Sequence, residues 1–431
     1  MRYIDNPTFL VQLSSVVSGK AFPSVTVCPE ITFPEHKVDA FLDEIAYPPG
    51  FERPYLRKIT WQLAAFYSLD VDYSTEELMR MEYVLRYNDL DVESTVMRLM
   101  TSCEEMLVRC RWRNQMVNCS EIFHMQVTGD GICCIFNSKS LRHELDPLHA
   151  THIKPQVKWY TTLVGPAHGL TLLINQTQKH GSIDITYKWV TIHHSLDYVD
   201  SSRNGSALSP GYEHWFSYAT YGFAMSDKIM ELSPNLRKCR IYSEEPLEWF
   251  PAGGKLLCTL ECEMRFTARQ CGCLRPNHPL PPGLRACRAY KLACARHAGV
   301  SVSSTEFCDC PSTCQADRAI IRKQSFPLAL NNATFDPIYR DIKDVHQVSV
   351  VRAYVGTYKM RSYRRELYFT YTDLFAQIGG IFNVYFGCSV LTLLEIIIIC
   401  YRTIFCKQLT NKVQDKSNNI VATKRPPEYK T

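Results

Sequence analysis

Nineteen cysteines carry much of the chemistry available to this 431-residue chain. Sixteen lie before residue 315: Cys28, Cys103, Cys110, Cys119, Cys133, Cys134, Cys239, Cys258, Cys262, Cys271, Cys273, Cys287, Cys294, Cys308, Cys310 and Cys314. Zinc would need thiolates in tetrahedral sets, usually drawn from CxxC pairs. Here the close spacings are CxC (Cys271/Cys273, Cys308/Cys310) and CxxxC (Cys258/Cys262, Cys310/Cys314), with no CxxC and only His278 and His297 nearby. Dense, even-numbered cysteines suit bridges in an oxidising compartment instead. No metal and no cofactor is expected. Four N-x-S/T sequons, at Asn118, Asn175, Asn204 and Asn332, all precede a long apolar stretch. Cysteines and sequons together place residues 1–372 outside the cell.

A second chemistry sits in that stretch. Gln377 to Cys400 reads QIGGIFNVYFGCSVLTLLEIIIIC, 24 residues with one charge, Glu395. As a helix it would span roughly 36 Å, enough to cross the hydrocarbon core of a bilayer. Gly387-Cys388-Ser389 places two small residues around a third near its middle. Small residues allow close helix packing, and they also allow a break whose carbonyls face water. An intramembrane carboxylate is costly and marks a pathway or a pairing partner. A broken helix with a buried acid suggests a cation pore built from several copies of the segment.

Charge agrees with this topology. The net +5 comes from residues 401–431, which hold seven basic and two acidic groups, while the first 400 residues are balanced. The basic tail, 402–431, is therefore cytoplasmic by the positive-inside rule. A tail this short does not argue for nucleic acid. Within it, Pro426-Pro427-Glu428-Tyr429 is a PPxY segment that preforms a polyproline II ligand for WW domains, so a WW-domain ubiquitin ligase is an expected partner. No HExxH, G-x-S-x-G or phosphate-binding glycine loop supports an enzyme. Residues 9–17 make neither a second span nor a signal peptide, so a large exterior domain stands at the N-terminus with nothing to translocate it.

Stepping outward, apolar periodicity predicts the elements that must position these groups. Val92, Val96, Leu99 and Met106 imply helices within 35–131. GLTLLI (169–174), WVTIHH (189–194) and the alternation of Val351, Ala353 and Val355 imply strands. No repeat of 20–50 residues is visible.

Taken together, the residues resemble the degenerin/epithelial sodium channel family, especially its insect pickpocket branch. Phe22 to Cys28 is similar to the FPxVTxC stretch that follows the family's first membrane helix. Residues 103–137, 232–240, the ten-cysteine run 239–314 and 373–395 resemble its later motifs in order. The resemblance implies an α+β, disulfide-rich extracellular domain of palm, β-ball, finger, thumb and knuckle, followed by a C-terminal transmembrane pore helix. Its divisions here are 1–34 (wrist and first palm strand), 35–131 (finger), 132–238 (palm and β-ball), 239–318 (thumb), 319–372 (palm return and wrist), 373–401 (pore helix) and 402–431 (tail). It further implies that the chain begins just after a first membrane helix. The pairing it implies is Cys28–Cys133, Cys110–Cys119, Cys239–Cys314, Cys258–Cys310, Cys262–Cys308, Cys271–Cys294 and Cys273–Cys287. Cys134 stands where relatives have Tyr, and Cys103 and Cys134 are left over, a bridge between them being the remaining guess.

The function implied is a subunit of a trimeric, amiloride-sensitive sodium channel in the plasma membrane. Homo- or heteromeric partners are both expected, with Na+ as the permeant ion. Gly387, Cys388 and Ser389 would form the selectivity filter and Glu395 the inner pore acid. Ala376 and Gln377 would lie at the gating position. Gln377 and Ile398 replace acids found in relatives, which argues against strong sodium selectivity. The alternative is a non-conducting or modulatory subunit, or a single-pass cysteine-rich receptor.

Overall fold

The computed structural model describes residues 8–16, 20–68, 71–138, 159–176, 188–195, 197–199, 205–241, 243–244, 246–250, 254–303, 308–328, 336–367, 371–387 and 390–422. The chain divides into two units, Leu10–Glu366 and Met1–Phe9 with Leu367–Thr431.

The large unit is mixed α and β. Its strands are β1 (Thr8–Val16), β2 (Ser24–Pro29), β3 (Leu107–Trp112), β4 (Gln115–Val117), β5 (Phe123–Thr128), β6 (Gly131–Phe136), β7 (Leu170–Asn175), β8 (Lys188–His193), β9 (Ser206–Leu208), β10 (Tyr212–Met225), β11 (Ala316–Pro327), β12 (Val348–Val355) and β13 (Lys359–Leu367). The larger sheet runs β1-β13-β10-β12-β7-β3-β4, with β11 on the free side of β10. The smaller runs β9-β8-β2-β6-β5. All six residues of β2 are buried, because β8 and β6 flank it and both its faces are covered. Between the sheets Trp112 stacks edge-on to Phe22 at 4.8 Å and Trp159 at 5.4 Å, and Phe136 joins them. Large aromatic rings fill such a gap with few rotatable bonds to freeze.

β10 organises the larger sheet. Its first half pairs in parallel with β12, Glu213 opposite Val350, and its second half with β13, Tyr221 opposite Arg361. The alternating run in 345–369 is thus two strands, not one. Gly356 makes the switch: a Cβ there would meet Ser217 Oγ at 1.8 Å, and its N–H donates to the Tyr218 carbonyl at 2.9 Å. Glycine at this position leaves room for the Ser217 side chain.

The helical layer holds α1 (Glu35–Glu44), α2 (Arg53–Thr60), α3 (Thr75–Tyr87) and α4 (Val92–Leu99). The Ser74 side chain caps α3 by accepting from the Glu77 amide, and Asp91 caps α4 by accepting from Ser94. Leu78, Met81, Val84 and Leu85 form the buried stripe of α3, packed with Phe41, Leu56, Ile59 and Val96. The 35–131 region also contributes β3, β4 and β5, which helical periodicity did not signal.

Two more helices, α5 (Lys255–Cys271) and α6 (Ala289–Ser303), lean on bridges more than on a core of their own. The helix α7 (Tyr371–Phe386) and the helix α8 (Val390–Ala422) belong to the second unit. Within 373–401, expected as a pore helix with a break near Gly387-Cys388-Ser389, two helices are present, parted after Phe386. Gly387 adopts φ +61°, a left-handed conformation that ends a helix, while its N–H still donates to the Asn383 carbonyl at 2.9 Å. Among the described residues no helix is long and apolar enough to cross a membrane.

Candidate functional site

The cysteines arrange the α5–α6 region as a ladder. Cys239 joins Cys314, Cys258 joins Cys310, Cys262 joins Cys308, Cys271 joins Cys294 and Cys273 joins Cys287. Cys28–Cys133 and Cys110–Cys119 staple the sheets, and Cys103 and Cys134 bond to each other. Bridges of this kind typically contribute about 2–4 kcal/mol each, chiefly by restricting the unfolded chain. Among the described residues Cys400 and Cys406 stand outside these bridges, and no cluster of His, Cys, Asp or Glu could hold a metal.

The ladder is fastened to the helical layer at one place. Arg296 of α6 donates to the carbonyls of Ala65 at 2.5 Å and Ser68 at 2.7 Å, and its guanidinium lies 4.6 Å above the Tyr73 ring. Glu82 of α3 accepts from the Ala289 amide at the start of α6 at 3.2 Å.

A buried ionic network ties the larger sheet to the segment 336–341. Arg111 of β3 donates to Asp336 at 2.6 Å, and Arg352 of β12 donates to the same carboxylate at 3.2 Å and to the Tyr339 hydroxyl at 2.8 Å. Arg352 also pairs with Glu213 of β10, which accepts from Tyr339 at 2.6 Å and from Trp215 at 2.7 Å. Burial alone would raise the Asp336 carboxyl, but the Ile338 amide and both guanidinium groups outweigh it and hold it below its usual value. Burial, together with the hydrogen bond to Glu213, pushes the Tyr339 hydroxyl up to about 12. These partners lie up to 225 residues apart, so no local pattern could have announced them.

A second buried cation bridges the two sheets. Lys188 of β8 is 1% exposed and donates to the Asn175 carbonyl at the end of β7. Burial lowers its amine to about 8. His193, at the other end of β8, is lowered to about 4 by burial and hydrogen-bonds Thr26 at 2.9 Å, so it is a neutral strand residue.

Several acids of the helical layer are ion-paired. Glu76 pairs with Arg80, Glu77 with Lys58 at 3.4 Å, and Glu105 with Lys37 at 2.7 Å. Of the sequons, Asn118 is exposed at the start of a one-turn helix. Asn175 is half-buried in β7, beside the buried Gln176. Asn204 and Asn332 lie outside the described residues, as do Pro426, Pro427 and Tyr429.

In the second unit, Ala376 and Gln377 are exposed on α7, Gly387 follows it, and Glu395 is exposed on α8. Cys388 and Ser389 lie outside the described residues. Space is open around Gly379, Gly380 and Gly387. The apolar side chains have no protein cover in a single chain: Phe375 is 72% exposed, Val384 82%, Leu391 73% and Ile397 61%. So large a contiguous apolar surface marks contact with lipid or with other chains. Glu395 is the single charge within this surface.

Comparison with known proteins gives a consistent answer. The family model for the amiloride-sensitive sodium channel matches residues 1–399. The sodium channel protein Nach of Drosophila melanogaster is 25% identical over 417 residues, which is 92% of this chain and 77% of that protein. Pickpocket protein 28 of the same fly is 21% identical over 357 residues, 73% of this chain and 59% of its own length. Human acid-sensing ion channel 2 is 21% identical over 336 residues, 73% of this chain and 61% of its own.

Proposed function

Because the chain belongs to the amiloride-sensitive sodium channel family, in its insect pickpocket-like part, we propose that it is one subunit of a trimeric, amiloride-sensitive cation channel of the plasma membrane. The observation that carries this reading is the uncovered apolar surface of α7 and α8, interrupted at Gly387 and bearing the single acid Glu395. The apolar run then crosses the bilayer as two helices joined through 387–389. Non-helical backbone is tolerated at that depth only where it lines a water-filled path. Three copies bring three such interruptions to one axis.

In this proposal the carbonyls of Gly387 and Cys388, with Ser389, replace part of the hydration shell of Na+. Glu395 raises cation concentration on the inner side, and the small Ala376 beside Gln377 lets the helices close near the outer mouth. The divisions into wrist, finger, palm, thumb and pore helix follow the boundaries given above. The bridged α5–α6 pair serves as the lever, Arg296 and Glu82 as its hinge on the helical layer, and β10, β12 and β13 as the transmission. Asn118, Asn175, Asn204 and Asn332 are glycan acceptors, and Pro426, Pro427 and Tyr429 engage a WW-domain ubiquitin ligase.

Gln377 and Ile398, neutral where relatives carry acids, favour a second reading in which the subunit modulates a channel whose selectivity other subunits set. The test is expression alone and with pickpocket-type partners, followed by recording. An amiloride-sensitive inward current from the chain alone supports the conducting subunit. A current seen only with partners, but altered by this chain, supports modulation. No effect in either setting refutes both.

A further inference from the structure

We propose that one end of the solvent-facing side of the larger sheet is a docking surface for a linear sulfated polysaccharide of the cell exterior. Strand alternation puts every second residue of β10, β11 and β13 on this face. Register sets Tyr221 of β10 between Arg318 of β11 and Arg361 of β13. Arg322 is on the same face, opposite Ser217, and Lys359 lies two residues before Arg361. All four cations are exposed. With strands spaced about 4.8 Å apart and residues rising about 3.3 Å, Arg318 and Arg361 stand about 10 Å apart across Tyr221, and Lys359 and Arg361 about 7 Å apart along the strand.

The rings between them hold the cations outward. Phe223 and Tyr363 stack at 5.4 Å, Tyr221 packs edge-on to Phe223 at 5.6 Å, and the Arg318 guanidinium lies 5.7 Å above Phe223. No acid interrupts this end of the face, whose other positions are Ser217, Ala219, Ile320 and similar neutral residues. The acid of β13, Glu366, alternates to the opposite face and pairs there with Arg364. Among the described residues, none of the four cations forms an ion pair.

Four uncompensated charges in an extended row require a polyanion. On the helical layer of a second copy, Asp43, Asp39, Glu76, Glu77 and Glu105 are already paired, and a periodic polyanion matches an extended row of cations better than the scattered acids that remain there, such as Glu52 and Glu104. Arginine, three of the four cations, presents a planar fork that binds sulfate or carboxylate oxygens two at a time. A flat strip with cations repeated along and across strands fits a chain that carries anions at regular intervals on an extended backbone. The bridged cysteines put this face in the compartment where sulfated polysaccharides occur.

The experiment measures heparin binding by the full chain in detergent micelles across a salt series. Wild type should bind at physiological salt. The triple variant Arg318→Ser, Arg322→Ser, Arg361→Ser should lose at least about tenfold in affinity, and the slope of log affinity against log salt should fall by about two to three as fewer counterions are released. Arginine-to-lysine changes at the same three positions should keep that slope, which separates lost charge from lost fold. Removing three ion-paired arginines elsewhere, Arg53→Ser, Arg57→Ser and Arg80→Ser, should change affinity less than twofold. The proposal is overturned if wild type does not bind, if both serine triples lose affinity equally, if the lysine triple loses the slope, or if the three arginines serve anionic lipid vesicles and not heparin.

Discussion

Replacing Asp336 with Asn should destabilise the large unit by about 3 kcal/mol. Asp336 is the anion shared by Arg111 and Arg352, whose side chains are only 7% and 10% exposed. The substitution keeps the shape of the side chain and removes its charge. Arg352 retains Glu213 and Tyr339, whereas Arg111 is left with the Thr171 hydroxyl at 3.4 Å. Breaking a buried pair from one side costs about 3–5 kcal/mol, and the lower end applies here because Asp336 is itself a quarter exposed and one of its two partners stays paired. For a unit of this size that is a fall in melting temperature of roughly 4 °C.

The assay is thermal unfolding of the disulfide-intact protein followed by tryptophan fluorescence, with Trp215 as a local reporter, since the Arg352 guanidinium lies 5.8 Å above its ring. The effect must also depend on pH. The folded carboxyl titrates below the unfolded one, near about 3.9, so its contribution is present above that value and is lost as pH falls through the folded value. Wild type and Asp336→Asn should therefore approach each other as pH falls through the folded value, below the ordinary carboxylate range, and stay parallel from about pH 5 upward. A melting temperature within about 1 °C of wild type at pH 7 would refute the view that this network holds the sheet to segment 336–341.

Several other outcomes are expected. Folded Lys188 titrates at about 8 instead of 10.5, so its charged form is disfavoured by folding and the penalty is relieved as pH rises between those values. Stability should climb by about 3 kcal/mol over that range, and Lys188→Met should abolish the climb, measured by urea unfolding. Gly356→Val should cost about 1–3 kcal/mol, since its Cβ would fall 1.8 Å from Ser217 Oγ and force that hydroxyl to turn away, and should be read as reduced surface-expressed protein. Non-reducing peptide mapping should recover Cys103 linked to Cys134. Replacing both by alanine should cost up to about 3–4 kcal/mol for a separation of 31 residues.

The sequence made some of this legible and hid the rest for definable reasons. The runs at 169–174 and 189–194 matched β7 and β8 within a residue, because each is a short apolar stretch bounded by polar segments. Val96, Leu99 and Met106 are buried as their spacing predicted. The alternation across Val351, Ala353 and Val355 was visible, yet the break at Gly356 was not, because it answers to Ser217 on another strand. The disulfide partners follow from family resemblance and not from spacing, and even that left Cys103 and Cys134 open. The network of Arg111, Glu213, Asp336 and Arg352 escaped notice because each member alone looks like an ordinary surface charge. In the C-terminal apolar segment, composition announced the apolar run, and the small residues near 387 marked where a break could fall; the left-handed backbone of Gly387 follows the end of the first helix there.

The central claim is that 387–389 and Glu395 line a cation path. The most direct test records amiloride-sensitive inward current from cells expressing Gly387→Arg and Glu395→Lys, each checked for equal surface labelling against wild type. The account predicts that both substitutions abolish the current while the protein remains at the surface. Undiminished current from both would contradict it.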